Sequence, residues 1–191
     1  MILLIAGVVF WTIAHLFPAV APGVRSSLVN KLGEGPYKGL FAVDILLALG
    51  LIIYGWRSAV PVSIYVPPLS SSQVPVILIA IGIVLFVASV APSNYKRLVR
   101  HPQMTGVVFW STGHLLANGD SRSVVLFGGL GIWAVLEMVL INKRDGAWVR
   151  PDSVPLPKSM LTIVVAVALI IILAKFHASF SGVAIFSTVL N

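Results

Sequence analysis

Long apolar runs alternate with short polar stretches along the whole chain. Six of these runs approach the length of about 20 residues that a helix needs to cross a bilayer. The six predicted spans cover residues 1–20, 38–57, 74–91, 103–118, 123–142 and 159–177. Most prolines fall between or just before the runs, where they do not interrupt a helix. The pattern predicts an all-α, polytopic integral membrane protein of about six transmembrane helices, in a single domain over residues 1–191.

The composition supports a membrane protein and excludes several other classes. Of the 191 residues, 58% are hydrophobic and only 10% are charged, whereas soluble domains carry about 25% charged residues. The chain has no cysteine, which excludes disulfides, iron–sulfur clusters and haem attached through thioethers. The net charge of +7 does not indicate nucleic-acid binding, because the basic residues lie in short loops between apolar runs.

Lysine and arginine are distributed unevenly between the two sides of the predicted membrane. Ten of the 13 lie in the stretches 21–38, 92–102 and 143–158. Only Arg57, Arg122 and Lys175 fall on the other side. Because basic loops remain in the cytoplasm, these three stretches are expected to be cytoplasmic and both termini to lie outside.

Two ten-residue segments, 7–16 and 106–115, are nearly the same, with seven identical positions. Each copy places Gly, Trp and His at four-residue spacing, which is one face of a helix. The copies lie in the first and fourth spans, which cross the membrane in opposite directions. One interpretation is an inverted repeat, in which the protein consists of two halves of three helices each. The alternative is a chance similarity between two apolar helices.

The two repeat histidines, His15 and His114, are the strongest candidates for a functional site, because a histidine in hydrocarbon is costly. They are expected to be metal ligands, and Trp11 and Trp110 on the same faces would line the site. Imidazoles, an apolar slot and no cysteine fit haem b, held without a covalent bond between the first and fourth spans. The histidines differ in depth by roughly 9 Å in straight helices. The alternative is a hydrogen-bonding role in ordinary helix packing.

A basic motif, Arg100-His101-Pro102, precedes the fourth span on the predicted cytoplasmic side. Arginine binds carboxylates through two parallel hydrogen bonds. Arg100 and His101 are therefore candidates for contacting a haem propionate or an anionic lipid headgroup. The alternative is a basic flank that only fixes orientation, with the proline starting the helix.

The end of the chain is expected to contribute little to the site. His177 lies beside Lys175 near the outer interface, and its side chain is predicted to be solvated. The tail, residues 178–191, is apolar but is interrupted by serine and glycine. It is expected to form either a short interfacial helix or an extension of the sixth span.

Residues 97–148 carry a specific set of motifs. They are Arg100-His-Pro-Gln-Met-Thr-Gly106, Trp110, His114-Leu-Leu-Ala-Asn-Gly-Asp120, Phe127-Gly-Gly129 and Arg144-Asp145. This set resembles the NnrU family of bacterial membrane proteins, named for an association with nitrite and nitric oxide metabolism. The resemblance implies a polytopic helical protein of the bacterial inner membrane, which would place both termini in the periplasm.

The same core is similar to the plant zeta-carotene isomerase, a haem b protein that shifts a cis double bond in a polyene. The proposed iron ligands of that enzyme match His15 and His114 here, and its Arg-His-Pro histidine matches His101. This similarity implies redox-gated isomerisation, with membrane lipid and a hydrophobic polyene as partners. The plant enzymes have a cysteine where Ser111 stands, so a cysteine–histidine ligand switch cannot occur in this chain.

Two other functions stay open. One is a non-catalytic, haem-bearing accessory of nitrite and nitric oxide metabolism. The other follows from Arg-His-Pro-x-x-x-Gly, which also resembles a motif of membrane methyltransferases that bind S-adenosylmethionine. Those enzymes carry an acidic, aromatic-rich segment after the next helix, where this chain has only Glu137 and Lys143-Arg144-Asp145.

Overall fold

A computed structural model describes residues 1–183 and shows a helical protein. Its seven main helices are α1 (Ile2–Val20), α2 (Pro22–Leu32), α3 (Glu34–Ser58), α4 (Val74–Val90), α5 (Pro102–Ala117), α6 (Ser121–Asp145) and α7 (Leu156–Ser181). A single 3₁₀ turn covers Asn94–Arg97. The described residues contain no strand, only an isolated bridge between Ser63 and Asp120. The all-α prediction is confirmed.

Four helices are long and apolar enough to cross a bilayer: α1, α3, α6 and α7. The other two predicted spans are shorter, because α4 has 17 residues and α5 has 16. Such helices reach about 24–26 Å, less than the about 30 Å of hydrocarbon. The chain is thus a helical membrane protein, while the number of six spans stays a prediction.

The segment between the first two spans, expected to be a loop, is helical over Pro22–Leu32. The loop prediction was wrong there because α2 has no apolar face for a sequence pattern to detect. The tail agrees with the second expectation, an extension of the sixth span, as far as Ser181. Helix α7 continues to Ser181, four residues beyond the predicted end of the sixth span, and residues 184–191 lie outside the described residues.

Glycines let the helices pack in two close pairs, α1 with α3 and α4 with α5. A methyl group on Gly55 would overlap the backbone of Leu4, and one on Gly82 would lie 2.7 Å from the carbonyl oxygen of Gly106. Such contacts need small residues, as is common where helices associate in lipid. Leu4 and Ile52 form part of the buried core of the first pair.

We expect Gly55→Ala to destabilise the protein, because its new methyl group has no room against α1. Overpacking of this kind costs about 1–3 kcal/mol. Thermal unfolding in detergent would measure the effect. The matched control is Gly50→Ala in the same helix, where a methyl group meets nothing within 4 Å. Equal unfolding temperatures for the two variants would contradict the packing of α1 on α3.

Helix α6 connects the two pairs, since it packs on both α1 and α5.

Asp120 caps the start of α6. Its Oδ1 accepts hydrogen bonds from the N–H groups of Arg122 and Ser123, and its Oδ2 accepts one from the Ser123 hydroxyl. Burial opposes ionisation of this carboxyl, but the hydrogen bonds outweigh it and lower the pKa of Asp120. The helix then widens into a π stretch over Val124–Gly128, a feature frequently found at functional sites.

Candidate functional site

His15 lies on α1 in an aromatic environment formed with α3 and α6. Its ring centroid is 4.2 Å from that of Trp11, 4.9 Å from Trp133 and 5.7 Å from Phe41. Its Nδ1 lies 2.9 Å from the backbone carbonyl oxygen of Trp11. A nitrogen bonded to a carbonyl carries the proton, so in the neutral ring Nε2 keeps its lone pair.

His114 repeats this local arrangement on α5. Its Nδ1 lies 2.9 Å from the carbonyl oxygen of Trp110, which again leaves the lone pair on Nε2. Its ring stacks on Phe127 of the π stretch, with centroids 4.2 Å apart and planes at 19°. The Trp110 ring lies 4.9 Å away. In both repeats the histidine follows the tryptophan by four residues, so its Nδ1 bonds the tryptophan carbonyl and both histidines have the same tautomer.

The structure gives the two repeat histidines different neighbours on α6. His15 contacts Trp133, whereas His114 contacts Phe127, six residues earlier. Six helical residues span about 9 Å, which agrees with the depth difference expected from the sequence. No ring contact joins His15 to His114 in the described part of the chain, and α6 lies against both of their helices. That His15 and His114 bind the same iron remains a prediction.

Buried polar atoms without partners surround His15. The indole Nε1 atoms of Trp11 and Trp133 make no close hydrogen bond to residues 1–183. Oε2 of Glu137 also lacks a close partner, and its side chain lies near that of Trp133. Buried polar groups are almost always paired, and an exception calls for a specific explanation such as a bound water, ion or ligand. The two N–H groups would suit an acceptor, such as a carboxylate or a carbonyl oxygen.

A cavity of about 560 Å³ opens near the ends of α1 and α6. Its wall combines prolines, aromatic rings and two guanidinium groups, from Pro18, Pro22, Arg25, Ser26, Tyr37, Phe41 and Arg144. Phe41 is also the ring that contacts His15. The cavity therefore offers positive charge close to the His15 cluster.

Arg100 and His101 lie at the start of α5, beside the last turn of α6. The Nε2 of His101 is 2.8 Å from Oδ1 of Asn142. His101 thus forms its hydrogen bond through Nε2, whereas the repeat histidines form theirs through Nδ1. Both side chains lie near enough to Asp145 for electrostatic attraction. Thirteen helical residues, about 20 Å, separate His101 from His114, and the structure does not bring these two candidates together.

A second, apolar groove of about 460 Å³ runs along α5 and α6. Its lining is mostly aliphatic: Val108, Ser111, Thr112, Leu115, Phe127, Gly128, Gly131, Ile132, Val135 and Leu136. The Ser111 hydroxyl is buried there without a partner among residues 1–183. Phe127 contacts the groove on one side and His114 on the other.

Three residues of this region were not predicted as site residues from the sequence: Phe127, Trp133 and His177. The His177 ring on α7 lies 6.5 Å from that of His114, and it is only partly exposed. The expectation of a solvated His177 holds only in part, because α7 packs against α4 and the His177 ring lies beside that of His114. No group of three or more His, Asp or Glu residues suited to a metal occurs over the range that the structure describes.

Comparison with known proteins gives one family and no individual relative. The family model described as "NnrU protein" matches residues 3–185. No curated protein and no solved structure matches the chain. Because the match covers nearly all of its length, the chain belongs to the NnrU family.

Proposed function

We propose that this NnrU protein binds haem b without a covalent bond and that His114 is an iron ligand. The observation that carries the proposal is the hydrogen bond of His114 Nδ1 to the Trp110 carbonyl oxygen. Histidines that bind metals almost always donate their other N–H to a carbonyl or carboxylate, which orients the ring. Nε2 then has its lone pair ready for a metal.

The surroundings of His114 fit a large apolar cofactor. The aromatic rings of Trp110 and Phe127 border the imidazole, and the apolar groove lies on the far side of Phe127. The propionates of a haem need cationic or N–H partners. The indole N–H groups of Trp11 and Trp133, about 9 Å further along α6 than Phe127, offer such partners. The repeat in the sequence predicts His15 as the second iron ligand, but no ring contact joins His15 to His114 in the described residues.

The proposed activity is redox-gated cis–trans isomerisation of a polyene. When bound, haem b would supply a redox-active iron. The chain contributes the groove between α5 and α6, whose aliphatic wall would bind an extended apolar chain and exclude water. Phe127 would hold that chain close to His114, because it contacts both. The Ser111 hydroxyl is a buried polar group there without a partner in residues 1–183.

The proposed location is the bacterial inner membrane, with both termini in the periplasm and six helices crossing. Helices α4 and α5 are short, and the residues that flank them would span the rest of the hydrocarbon layer. The uneven distribution of Lys and Arg supports this orientation. Surrounding lipid and a lipid-soluble polyene are the proposed partners.

The absorption spectrum of the purified protein tests haem binding. We expect a Soret band and haem that acid acetone extracts. The chain has no cysteine, so haem cannot be attached to it through thioether bonds. The protein would be produced in cells supplied with a haem precursor. A folded, colourless protein from such cells contradicts the proposal. Binding of labelled S-adenosylmethionine to it would instead support a methyltransferase.

A further inference from the structure

We propose that His177 on α7 is the second imidazole of the His114 site, so that one iron is held between α5 and α7. The inference rests on the proposed haem binding and adds a ligand from outside the repeat. It differs from the pairing of His114 with His15 that the sequence predicts. The geometry of the two rings, their hydrogen bonds and the anchoring of α7 support it.

The distance between the two rings suits a shared metal ion. Their centroids are 6.5 Å apart and their planes are inclined by only 19°. A metal–nitrogen bond to histidine is about 2.0 Å, and the nitrogen lies about 1.1 Å from its ring centre, so imidazoles on opposite sides of one ion have centroids about 6 Å apart. Direct stacking is closer, as between His114 and Phe127 at 4.2 Å. The separation of the His114 and His177 rings is therefore closer to that of two imidazoles on one ion than to direct stacking.

The hydrogen bonds of His177 prepare it for the same role as His114. Its Nδ1 lies 2.7 Å from the carbonyl oxygen of Val183 and 2.9 Å from Oγ of Ser181. The carbonyl fixes the proton on Nδ1, so Nε2 keeps its lone pair. Neither Nε2, of His114 or of His177, makes a hydrogen bond to residues 1–183. Each ring therefore presents a free donor nitrogen.

The end of α7 is shaped so that this carbonyl reaches back to His177. Gly182 ends the helix with φ of +76°, a left-handed conformation that favours glycine. The turn brings Val183 against His177. The carbonyl oxygen of Ser181 also accepts a 3.1 Å hydrogen bond from Nε1 of Trp56 on α3. This hydrogen bond attaches the end of α7 to α3.

His15 lacks such a partner. The rings that border it belong to Trp11, Trp133 and Phe41, and the described residues place no second imidazole beside it. Its contact on α6 lies about 9 Å along the helix from that of His114. In this proposal, His15 belongs to the separate polar cluster with Trp11 and Trp133.

The test compares His177→Gly with His15→Gly in the purified, haem-loaded protein, by absorption and electron paramagnetic resonance of the oxidised iron. We expect wild type to be low-spin, as two imidazole ligands require. His177→Gly should lose most of the low-spin signal and gain a high-spin one, and added imidazole should restore the original spectrum. His15→Gly should keep the wild-type spectrum, and His101→Gly serves as a control outside the bundle centre.

The outcomes separate the two proposals. A His177→Gly spectrum equal to that of wild type overturns the His177 ligand, and so does a change that imidazole fails to restore. Loss of the low-spin signal in His15→Gly, with His177→Gly unchanged, assigns the second ligand to the repeat. A wild-type protein that contains no haem refutes the proposed function itself, and the His177 ligand with it.

Discussion

His114→Ala should abolish the Soret band of the purified protein. The substitution removes the proposed iron–nitrogen bond and leaves a cavity between Trp110 and Phe127, two effects that act in the same direction. Large-to-small changes in packed cores cost about 2–5 kcal/mol even without a metal. His114→Phe should also lose haem, since a ring of similar bulk refills the space but has no donor nitrogen. Haem content per protein would be measured by pyridine haemochrome.

His101→Ala is the control for this prediction. His101 bonds Asn142 through its Nε2 and lies about 20 Å from His114 along α5. It should therefore lose only part of the haem, through disturbance of the cytoplasmic rim. If His101→Ala removed all haem while His114→Ala kept its spectrum, the iron ligand would have to be sought at the start of α5.

Reduced protein in lipid should isomerise a cis-carotenoid, and oxidised protein should not. The apolar groove along α5 and α6 is the proposed binding site, so filling it should block turnover. Ile132 lines the groove and is 65% exposed, which allows Ile132→Trp without overpacking the core. We expect at least a tenfold loss of turnover, which corresponds to about 1.4 kcal/mol. Product would be measured by chromatography of the extracted carotenoids.

Leu46→Trp provides the matched control for the groove. Leu46 is also 65% exposed but does not line the groove, so its variant should keep full turnover. Equal loss in both variants would show an effect on the protein as a whole. No turnover in either redox state on several carotenoids, with haem intact, would favour the non-catalytic accessory of nitrite and nitric oxide metabolism.

The sequence by itself determined the apolar helices and their approximate limits, but not α2. Residues 74–91 were predicted as a span and α4 covers Val74–Val90; residues 103–118 were predicted and α5 covers Pro102–Ala117. The agreement has a local cause, because helix hydrogen bonds join residues four apart and prolines mark the first turns. The tautomers of the repeat histidines follow from the same local geometry, since each Nδ1 bonds the carbonyl of the fourth residue before it.

Only the tertiary structure decided what surrounds each histidine. The two repeat segments are nearly identical, yet His15 contacts Trp133 and His114 contacts Phe127. These contacts depend on where α6 crosses α1 and α5, and apolar helices of similar composition carry little sequence information about their crossings. His177 illustrates the limit best: it lies 63 positions from His114 along the chain. Its ring comes within 6.5 Å of His114 because α7 packs on α4, which pairs with α5.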